Sequence, residues 1–345
     1  MDKNILLTGN RGYIGTVMTE FLQHHNYKVV GLDCKYYEGC EFYPLKTYPF
    51  RQIVKDIRDV NENDLEGITA VIHLAALSND PLGEINPSLT HEINYVATVK
   101  LANIAKKLKI PRFIFASSCS LYGIAPDDSA LTENGKLNPI TAYAKAKVKA
   151  EKEISKIADD NFHPVFMRNA TVYGVSPSMR LDLVVNNLVA WAYLTGKIAI
   201  MSDGTPWRPI IHVEDFCRAF LAVLEAPIEK IHSQAFNVGI NSENFQVKDI
   251  AKQIEKIIPN SHAEILNKTG PDERTYRVDF SKIENTLSTF KPRWNLRKGI
   301  EELYQAYEKF GLTQKDFQSP RYFRVRWIKY LLESKKLDNN LKWTK

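Results

Sequence analysis

The stretch Thr8–Gly15 reads TGNRGYIG and carries a G-x-x-G-x-x-G spacing formed by Gly9, Gly12 and Gly15. It follows a short apolar run, Asn4–Thr8, and opens a helix-like segment, Ile14–His24, which is the context that a dinucleotide-binding loop requires. The first two glycines would let the backbone turn and approach a pyrophosphate, and the third would let the helix pack closely on the strand. The phosphates would then lie at the helix N-terminus, where backbone N–H groups are free to bind them.

An acidic residue ends the next strand-like segment. Asp33 follows Tyr27–Leu32 (YKVVGL) and lies 24 residues after Gly9. Its carboxylate could accept hydrogen bonds from both hydroxyls of an adenosine ribose, and it would repel a 2′-phosphate. We therefore expect NAD rather than NADP as the cofactor.

The first half of the chain alternates strand-like and helix-like segments. Further strands are predicted at Ala70–Ala75, Arg112–Ala116 and Pro164–Met167, with helical stretches such as Val96–Leu108 between them. Short strands separated by helices predict a parallel sheet that is covered on both faces. The predicted fold class is therefore α/β, a doubly wound parallel sheet of the Rossmann type.

The pattern loosens after about residue 180, which indicates a second region. Its predicted helices are Leu181–Thr195, Val213–Leu224, Val247–Ile257 and Arg297–Phe310, with short strands around Ile198–His212. We predict a NAD-binding Rossmann domain over residues 1–180 and a smaller substrate-binding lobe over residues 181–312, with some segments interleaved. Such a lobe would lie over the carboxyl edge of the sheet, where open α/β sheets bind ligands.

The positive charge of the chain is concentrated at its end. The chain has 345 residues and a net charge of +6, and residues 314–345 contain nine Lys/Arg against three Asp/Glu. Residues 313–345 are also rich in aromatic residues and Leu, which predicts a basic helical tail that packs on the body or on a partner. A basic tail is also one feature of nucleic-acid binding, but this composition leads us to expect no nucleic acid as a partner.

Cysteine and hydropathy patterns indicate the setting of the protein. The four cysteines, Cys34, Cys40, Cys119 and Cys217, form no CxxC pair and do not cluster with histidines at zinc spacing, so we expect reduced thiols and no metal. No apolar run approaches the roughly 18 residues that span a bilayer, and the N-terminal MDKNILLTGN lacks the pattern of a signal peptide. We therefore expect a cytoplasmic protein with no membrane partner.

Two motifs further along the chain predict redox chemistry on an alcohol. Ser117–Gly123 (SSCSLYG) follows a strand, and Tyr143 and Lys147 in YAKAK are four residues apart, so they share one face of a helix. A tyrosine phenol has a pKa of about 10 and is a poor base at neutral pH, but a neighbouring ammonium would favour its phenolate. Tyr143 could then take the proton from a substrate hydroxyl that Ser118 holds.

Together these motifs resemble those of the extended short-chain dehydrogenase/reductase family, in its NAD-dependent nucleotide-sugar epimerase/dehydratase branch. The resemblance covers about residues 3–310 and rests on TGNRGYIG, Asp33, Asp56-Ile57, HLAA at His73–Ala76, Asn94, SSCSLYG, YAKAK and WRPIIHVED at Trp207–Asp215. It implies a Rossmann domain that holds NAD tightly and a smaller C-terminal lobe that binds an NDP-sugar. It also implies a homodimer formed through two helices, here Thr90–Leu108 and Thr141–Ala158.

The resemblance assigns catalytic and cofactor residues by position. The catalytic residues would be Ser118, Tyr143 and Lys147. Asp56 and Ile57 would flank the adenine. Asn94 would support the nicotinamide end. The implied cofactor set is Gly9, Asn10, Arg11, Gly12, Tyr13, Ile14, Gly15, Asp33, Asp56, Ile57, Leu74, Ala75, Ala76, Asn94, Tyr143 and Lys147.

The resemblance also assigns substrate residues. Asn187 and Arg208 would hold the nucleotide diphosphate, for which a fork-shaped guanidinium is suited, and Arg274 would be a second arginine. The implied substrate set is Ser78, Ser118, Cys119, Ser120, Tyr143, Thr171, Asn187, Arg208 and Arg274. Three departures from the family pattern bear on the identity of the sugar and the nucleotide, namely Pro209 for Asp, Thr171 for Asn and Lys268 for Arg.

The triplet Ser118-Cys119-Ser120 bears on the reaction. The 4,6-dehydratases of this branch carry Thr-Asp-Glu at these positions, and elimination needs such an acid and base. A thiol and a hydroxyl are poor replacements, so we do not expect loss of water. Reversible oxidation at the sugar C4 remains, and the Ser-x-x-x-Tyr-Gly pattern of Ser118–Gly123 favours a 4-epimerase.

Other functions stay open. The protein could be an NDP-sugar 4-dehydrogenase or ketoreductase without epimerisation, a 4,6-dehydratase, or a NAD-binding regulatory protein without catalysis. Cys119 could act as acid or base at C3 or C5, giving a 3,5-epimerase, or it could be a small buried residue.

Overall fold

The strands of the protein are short, with two to seven residues each, and they alternate with helices along most of the chain. A computed structural model describes residues 3–124, 129–266 and 275–344 of the chain. Its strands are β1 Asn4–Thr8, β2 Lys28–Asp33, β3 Arg51–Val54, β4 Ala70–His73, β5 Arg112–Ser118, β6 Ala130–Leu131, β7 His163–Asn169, β8 Thr171–Tyr173, β9 Lys197–Ile200, β10 Trp207–His212, β11 Gln234–Val238, β12 Asn244–Gln246, β13 His262–Ile265 and β14 Arg277–Val278.

Helices connect and cover these strands. They are α1 Tyr13–His24, α2 Asp80–Gly83, α3 Pro87–His91, α4 Ala97–Lys107, α5 Ala142–Lys156, α6 Val184–Thr195, α7 Val213–Glu225, α8 Ile228–Ile231, α9 Val247–Ile257, α10 Ser281–Thr286, α11 Leu296–Lys309, α12 Gln314–Gln318 and α13 Arg324–Glu333. A π-helical turn, Glu92–Val96, joins α3 to α4. Short 3₁₀ turns lie at Ile57–Asp59, Glu62–Leu65, Cys119–Tyr122 and Asn241–Glu243.

Seven strands form the central sheet, in the order β11-β7-β5-β4-β1-β2-β3. All neighbouring pairs in this sheet are parallel. The central strands are apolar on both faces because helices cover both, and two separate core clusters lie on either side of them. The strand order reverses between β1 and β4, which confirms the predicted doubly wound Rossmann fold.

The glycine-rich loop between β1 and α1 has the backbone that its sequence predicts. Gly9 has a φ of +72°, a conformation that other residues rarely adopt, and its N–H donates to Leu32 O at 2.8 Å. At Gly15, a Cβ atom would lie 2.0 Å from the Gly9 carbonyl oxygen. The loop and the first turn of α1 therefore pack at a distance that only glycine permits.

The second half of the chain is interleaved with the first. Strand β11 lies in the central sheet beside β7, and α7 packs on α1. The remaining strands of this half form small sheets, β12-β10-β8, β13-β9 and β14-β6, in which β8 and β6 come from the first half. Helix α6 begins at Val184 rather than at the predicted Leu181, because residues 181–183 form a bend, of which Asp182 and Leu183 line part of the cavity described below.

The C-terminal tail, residues 313–344, folds onto the body of the protein. Helix α12 begins with a capping box formed by Thr313 and Asp316. Helix α13 and the residues after it bury four apolar side chains, Ile328, Leu331, Leu337 and Leu341. These side chains lie in the core cluster that also contains residues of β2. The aromatic and aliphatic content of the tail is therefore used in packing on this chain itself. No helix within the described ranges has both the length and the apolarity needed to cross a membrane.

Candidate active site

A cavity of about 820 Å³ opens along the carboxyl edge of the central sheet. Its lining comes from the segments that follow β1, β2, β3, β4, β5 and β7, from α5, and from parts of the second half and the tail, including Arg180, Asp182, Leu183, Val184, Asn187, Pro206, Arg208 and residues 323–326. Because parallel strands end at one edge, side chains distant in sequence meet there. Most of the residues that the sequence analysis assigns to the cofactor and substrate line this one cavity.

One half of the cavity has the features of a dinucleotide site. Gly9, Gly12 and the first residues of α1 line it beside Asp33, whose carboxylate accepts from the backbone N–H of Arg11 at 3.0 Å and of Lys35 at 2.6 Å. Burial raises the pKa of Asp33, and these hydrogen bonds partly offset the effect. A buried acceptor at the end of β2 beside a glycine-rich turn fits an adenosine ribose and its phosphates.

Asp56 and Ile57 line the same half, where the resemblance places the adenine. The Asp56 carboxylate accepts from the backbone and side chain of Arg58, at 2.9 Å and 2.7 Å. Burial raises the pKa of Asp56, but the hydrogen bonds from Arg58 outweigh this and the net shift is downward. Asp56 therefore carries a fixed negative charge that holds the turn after β3.

Three members of the predicted cofactor set do not line the cavity. The side chain of Asn10 is buried and bonds to Gln52 at 2.8 Å, and the side chain of Arg11 lies 3.6 Å from Glu41. Asn94 accepts from Leu77 N at 2.8 Å and donates to Leu77 O at 3.1 Å. The amide of Asn94 is thus occupied in holding the loop Leu74–Ser78, so the predicted support of the nicotinamide end would act through this loop.

The predicted catalytic residues meet in the middle of the cavity. Tyr143 and Lys147 lie on α5, Ser118 ends β5, and all three line the cavity. A hydrogen bond joins the Ser118 hydroxyl to the Tyr143 phenol. This pair can hold one substrate hydroxyl between a donor and an acceptor, which is the geometry that proton transfer at an alcohol requires.

The Tyr143 phenol is influenced by charges that the sequence analysis did not consider. Burial raises the pKa of Tyr143, and the Asp80 carboxylate raises it further. The hydrogen bond to Ser118 and the positive charge of Arg180 lower it. Arg180 is a cation of the loop that precedes α6, and no local motif marks it.

Lys147 is arranged differently from the expected ammonium beside a phenol. Its Nζ donates to Ala116 O at 2.7 Å and lies 5.7 Å from the centroid of the Tyr143 ring. Burial lowers the pKa of Lys147 to about 7, and Glu151 partly opposes this shift. Lys147 is therefore a group that can hold or release a proton close to neutral pH.

The two middle residues of SSCSLYG face opposite sides of the chain. The Ser120 hydroxyl lines the cavity and donates to the Asp80 carboxylate at 3.4 Å. Cys119 is 1% exposed, its thiol donates to Arg168 O at 3.2 Å, and burial raises the pKa of this thiol far above its usual range. Cys119 does not line the cavity, so its assignment to the substrate set is corrected to a buried core residue.

The other half of the cavity receives the residues predicted for the substrate. Ser78, Thr171, Asn187 and Arg208 all line it. Asn187 also bonds to Leu181 O at 2.7 Å, which fixes the start of α6. Arg274 lies outside the described residues, and so does Lys268.

Several residues of the cavity were missed by the sequence analysis. The Arg180 guanidinium pairs with Asp182 at 2.9 Å and reaches the Ser78 hydroxyl at 3.4 Å. Asp80 accepts from the hydroxyls of Ser120 and Thr141. The remaining missed residues in the lining include Tyr36, Tyr37, Tyr276 and Arg324. Of these residues, only Asp80 lies beside a motif of the sequence analysis, HLAA at His73–Ala76. Within the described ranges, no group of three or more His, Cys, Asp or Glu is placed to hold a metal ion.

Comparisons with known proteins agree with this geometry. The model of the NAD dependent epimerase/dehydratase family matches residues 5–239 of the chain. A UDP-glucuronate 4-epimerase of Thermodesulfobacterium geofontis is 26% identical over 317 residues, which cover 86% of this chain and 93% of that protein. UDP-glucuronic acid decarboxylase 6 of Arabidopsis thaliana is 24% identical over 326 residues, covering 91% and 92%.

A solved structure gives the same result. The crystal structure of UDP-glucuronic acid 4-epimerase from Bacillus cereus, in complex with UDP-glucuronic acid and NAD, has a TM-score of 0.74 and 26% identity, and covers 89% of this chain and 99% of that one. The relatives include both epimerases and decarboxylases, so similarity alone leaves the reaction type open.

Proposed function

The chain belongs to the NAD dependent epimerase/dehydratase family, and from this premise we propose that it is a nucleotide-sugar 4-epimerase acting by reversible oxidation at C4 of an NDP-hexose. Its cofactor is NAD, as the sequence predicts. The observation that carries the proposal is the hydrogen-bonded pair of Ser118 and Tyr143 in a cavity lined by Gly9, Gly12 and Asp33.

The mechanism assigns a task to each of these side chains. Bound NAD supplies a group that accepts a hydride from an alcohol carbon and can return it. Ser118 orients the C4 hydroxyl of the sugar, and Tyr143, once it has lost its own proton, takes the proton of that hydroxyl on its phenolate Oη. Lys147 can hold or release a proton close to Tyr143, because burial lowers the pKa of Lys147 to about 7. Return of the proton from Tyr143 to the C4 oxygen, after the sugar has turned over, completes the inversion.

Asp80 supports a second candidate, an elimination catalysed by a dehydratase. Its carboxylate lies 3.4 Å from the Ser120 hydroxyl and within electrostatic range of Tyr143. Elimination needs an acid and a base near neighbouring carbons of the sugar, and Asp80 could serve as one of them. Cys119 cannot serve as the other, since its thiol points into the core. We therefore rank elimination second to epimerisation, and we give oxidation without epimerisation the same rank as elimination.

A product assay separates these reactions. The purified protein with NAD is incubated with a panel of UDP-, GDP-, CDP- and dTDP-sugars, and the products are analysed by mass spectrometry and NMR. An unchanged mass with inversion at C4 supports the proposal. Loss of water identifies a dehydratase, loss or gain of two hydrogens a dehydrogenase or reductase, and loss of carbon dioxide a decarboxylase. No product and no change in reduced-nicotinamide absorbance with any sugar would indicate a non-catalytic NAD-binding protein.

UDP-sugars are the first substrates to test. The neighbouring structure from Bacillus cereus contains UDP-glucuronic acid, and Asn187 and Arg208, which the resemblance assigns to the diphosphate, line the cavity of this chain. The four cysteines are free thiols, which suits the cytoplasmic location that we propose. We also propose a homodimer through α4 and α5. Light scattering on the purified protein tests this, because a mass of one chain would refute it.

A further inference from the structure

The C-terminal tail is anchored at the end of the cavity where Asp33 and Asp56 lie. The indole N–H of Trp343 donates to Cys34 O at 2.6 Å, and that of Trp327 donates to Tyr36 O at 2.6 Å. Lys342 lies 3.3 Å from Asp56 and 2.6 Å from Asp59. These contacts fix the tail to the segments that follow β2 and β3, which are the segments that flank the adenosine half of a dinucleotide site.

Residues 323–326 of the tail line the cavity, and Arg324 is the buried cation among them. Arg324, the first residue of α13, is 1% exposed and lines the cavity together with the glycine-rich loop. Its Nη2 donates to the carbonyl and hydroxyl oxygens of Ser178, both at 2.9 Å, and its guanidinium lies 3.8 Å from the centroid of the Tyr37 ring. Packing on Tyr37 and bonding to Ser178 hold the guanidinium in one orientation.

The other terminal guanidinium nitrogen of Arg324, Nη1, makes none of these hydrogen bonds. It is buried and has no hydrogen-bond partner among the described residues. Among the described residues, Arg324 also has no ion pair within 4 Å. The nearby Asp182 pairs with Arg180 instead. A buried N–H without an acceptor is costly, and for a charged group the cost is larger. The site is therefore complete only when an acceptor, preferably an anion, occupies the cavity beside Arg324.

We propose that the C-terminal tail completes the NAD site, with Arg324 binding a phosphate of the dinucleotide through Nη1. A guanidinium suits phosphate because it is planar, permanently charged and able to donate in a fork. Asp33 in the same half of the cavity would repel a 2′-phosphate, which assigns Arg324 to the pyrophosphate. The tail lies outside residues 5–239, the part of the chain that the family model matches. This role of Arg324 in cofactor binding holds for any reaction at the sugar.

Calorimetric titration of the nucleotide-free protein tests the proposal. NAD, ADP-ribose and adenosine are titrated into the wild-type protein and into Arg324→Gln. We expect Arg324→Gln to weaken NAD and ADP-ribose binding by about tenfold to a hundredfold, as for loss of a charge-assisted hydrogen bond, and to leave adenosine binding within about twofold. Unchanged NAD and ADP-ribose affinities would overturn the proposal, and so would an equal loss for adenosine.

Three controls separate loss of the phosphate contact from a general change in charge or folding. Lys329→Gln removes an exposed cation from the same helix and should leave every affinity unchanged. Arg324→Lys keeps the charge and should retain more NAD affinity than Arg324→Gln. The fluorescence of Trp327 and Trp343, recorded without nucleotide, reports whether the tail stays docked in each variant. A titration with NADP distinguishes the phosphates, because a larger loss for NADP than for NAD in Arg324→Gln would refute the assignment to the pyrophosphate.

Discussion

At Tyr143, burial and the neighbouring groups act in opposite directions on the phenol. Burial and Asp80 raise its pKa, while the hydrogen bond from Ser118 and the charge of Arg180 lower it. The net shift of the pKa is upward, so the phenol holds its proton at neutral pH in the protein without ligands and must lose it before it can act as a base. We expect Tyr143→Phe to lower kcat by about 10²- to 10⁴-fold, since it removes the atom that carries the proton.

Steady-state kinetics and NAD titration check this prediction together. The melting temperature and the NAD affinity of Tyr143→Phe should match those of the wild type, because the ring still fills its site. Tyr276→Phe, in the same cavity, is the matched variant and should cost about tenfold or less. Full turnover by Tyr143→Phe would remove Tyr143 from the mechanism.

Cys119 and Ser120 are neighbours in sequence with opposite surroundings. Cys119→Ala should leave kcat within about twofold and lower the free energy of unfolding by about 1 kcal/mol, because only core packing and one weak hydrogen bond are lost. Ser120→Ala should instead lower kcat/KM by about tenfold, since it breaks the contact with Asp80 inside the cavity. Solvent-deuterium exchange at C3 and C5 of the sugar should be the same in Cys119→Ala and wild type. Loss of that exchange would restore the thiol as an acid–base group.

The junction of β1 and α1 carries a prediction at the scale of an element. In Gly15→Ala, the new Cβ would meet Gly9 O at 2.0 Å and Asn10 Cα at 2.6 Å, so the loop or the helix must shift. We expect the free energy of unfolding to fall by about 1–3 kcal/mol and NAD binding to be lost. Gly311→Ala serves as the control, because its φ is +65° but its Cβ would meet nothing within 4 Å. It should cost about 1–2 kcal/mol through its backbone alone and leave NAD affinity unchanged. Equal NAD affinities for both variants would contradict the close packing of loop and helix as the cause.

Elements with a local sequence pattern could be predicted. The glycine spacing before α1 and the alternation of strands and helices identified the Rossmann fold and NAD, and both predictions are confirmed. Strands β3 and β11 were not predicted. The four residues of β3 are half-exposed and lack a strong apolar pattern, and β11 joins the central sheet only through long-range pairing with β7.

Side-chain direction and distant contacts account for the remaining differences at the site. Cys119 and Asn94 were assigned to the site by their position in the chain, but position does not specify which way each side chain points. Arg180 and Arg324 come from an irregular loop and from the tail, so only the folded chain brings them to the cavity. Both guanidinium groups are buried only because residues distant in sequence pack around them.

On the scale of the whole molecule, the first half, the second half and the tail of the chain share the core clusters of one central sheet. Strand β11 comes from the second half of the chain but pairs with β7 of the first, and the tail shares a core cluster with β2. Breaking any one of these regions would expose apolar surface in the others. We therefore treat the free energy of unfolding as one quantity to which every buried charge contributes.

Lys147 gives that quantity a pH dependence. Its pKa is about 7 in the folded protein because of burial, whereas an unburied lysine has a value of 10.5. Between these two values the unfolded chain binds more protons than the folded one, so stability rises with pH, by at most roughly 1.4 kcal/mol per pH unit. Urea unfolding of the NAD-free protein from pH 6.5 to 7.5 should show the start of this rise, because the cysteines of the unfolded chain, with pKa values of about 8.5, lose few protons in this window. Lys147→Met should reduce the rise to the part contributed by His73, whose pKa burial lowers to about 3, while Lys152→Met, on the exposed side of the same helix, should keep the full rise. A pH slope that is unchanged in Lys147→Met would mean that the ammonium is already charged within the fold.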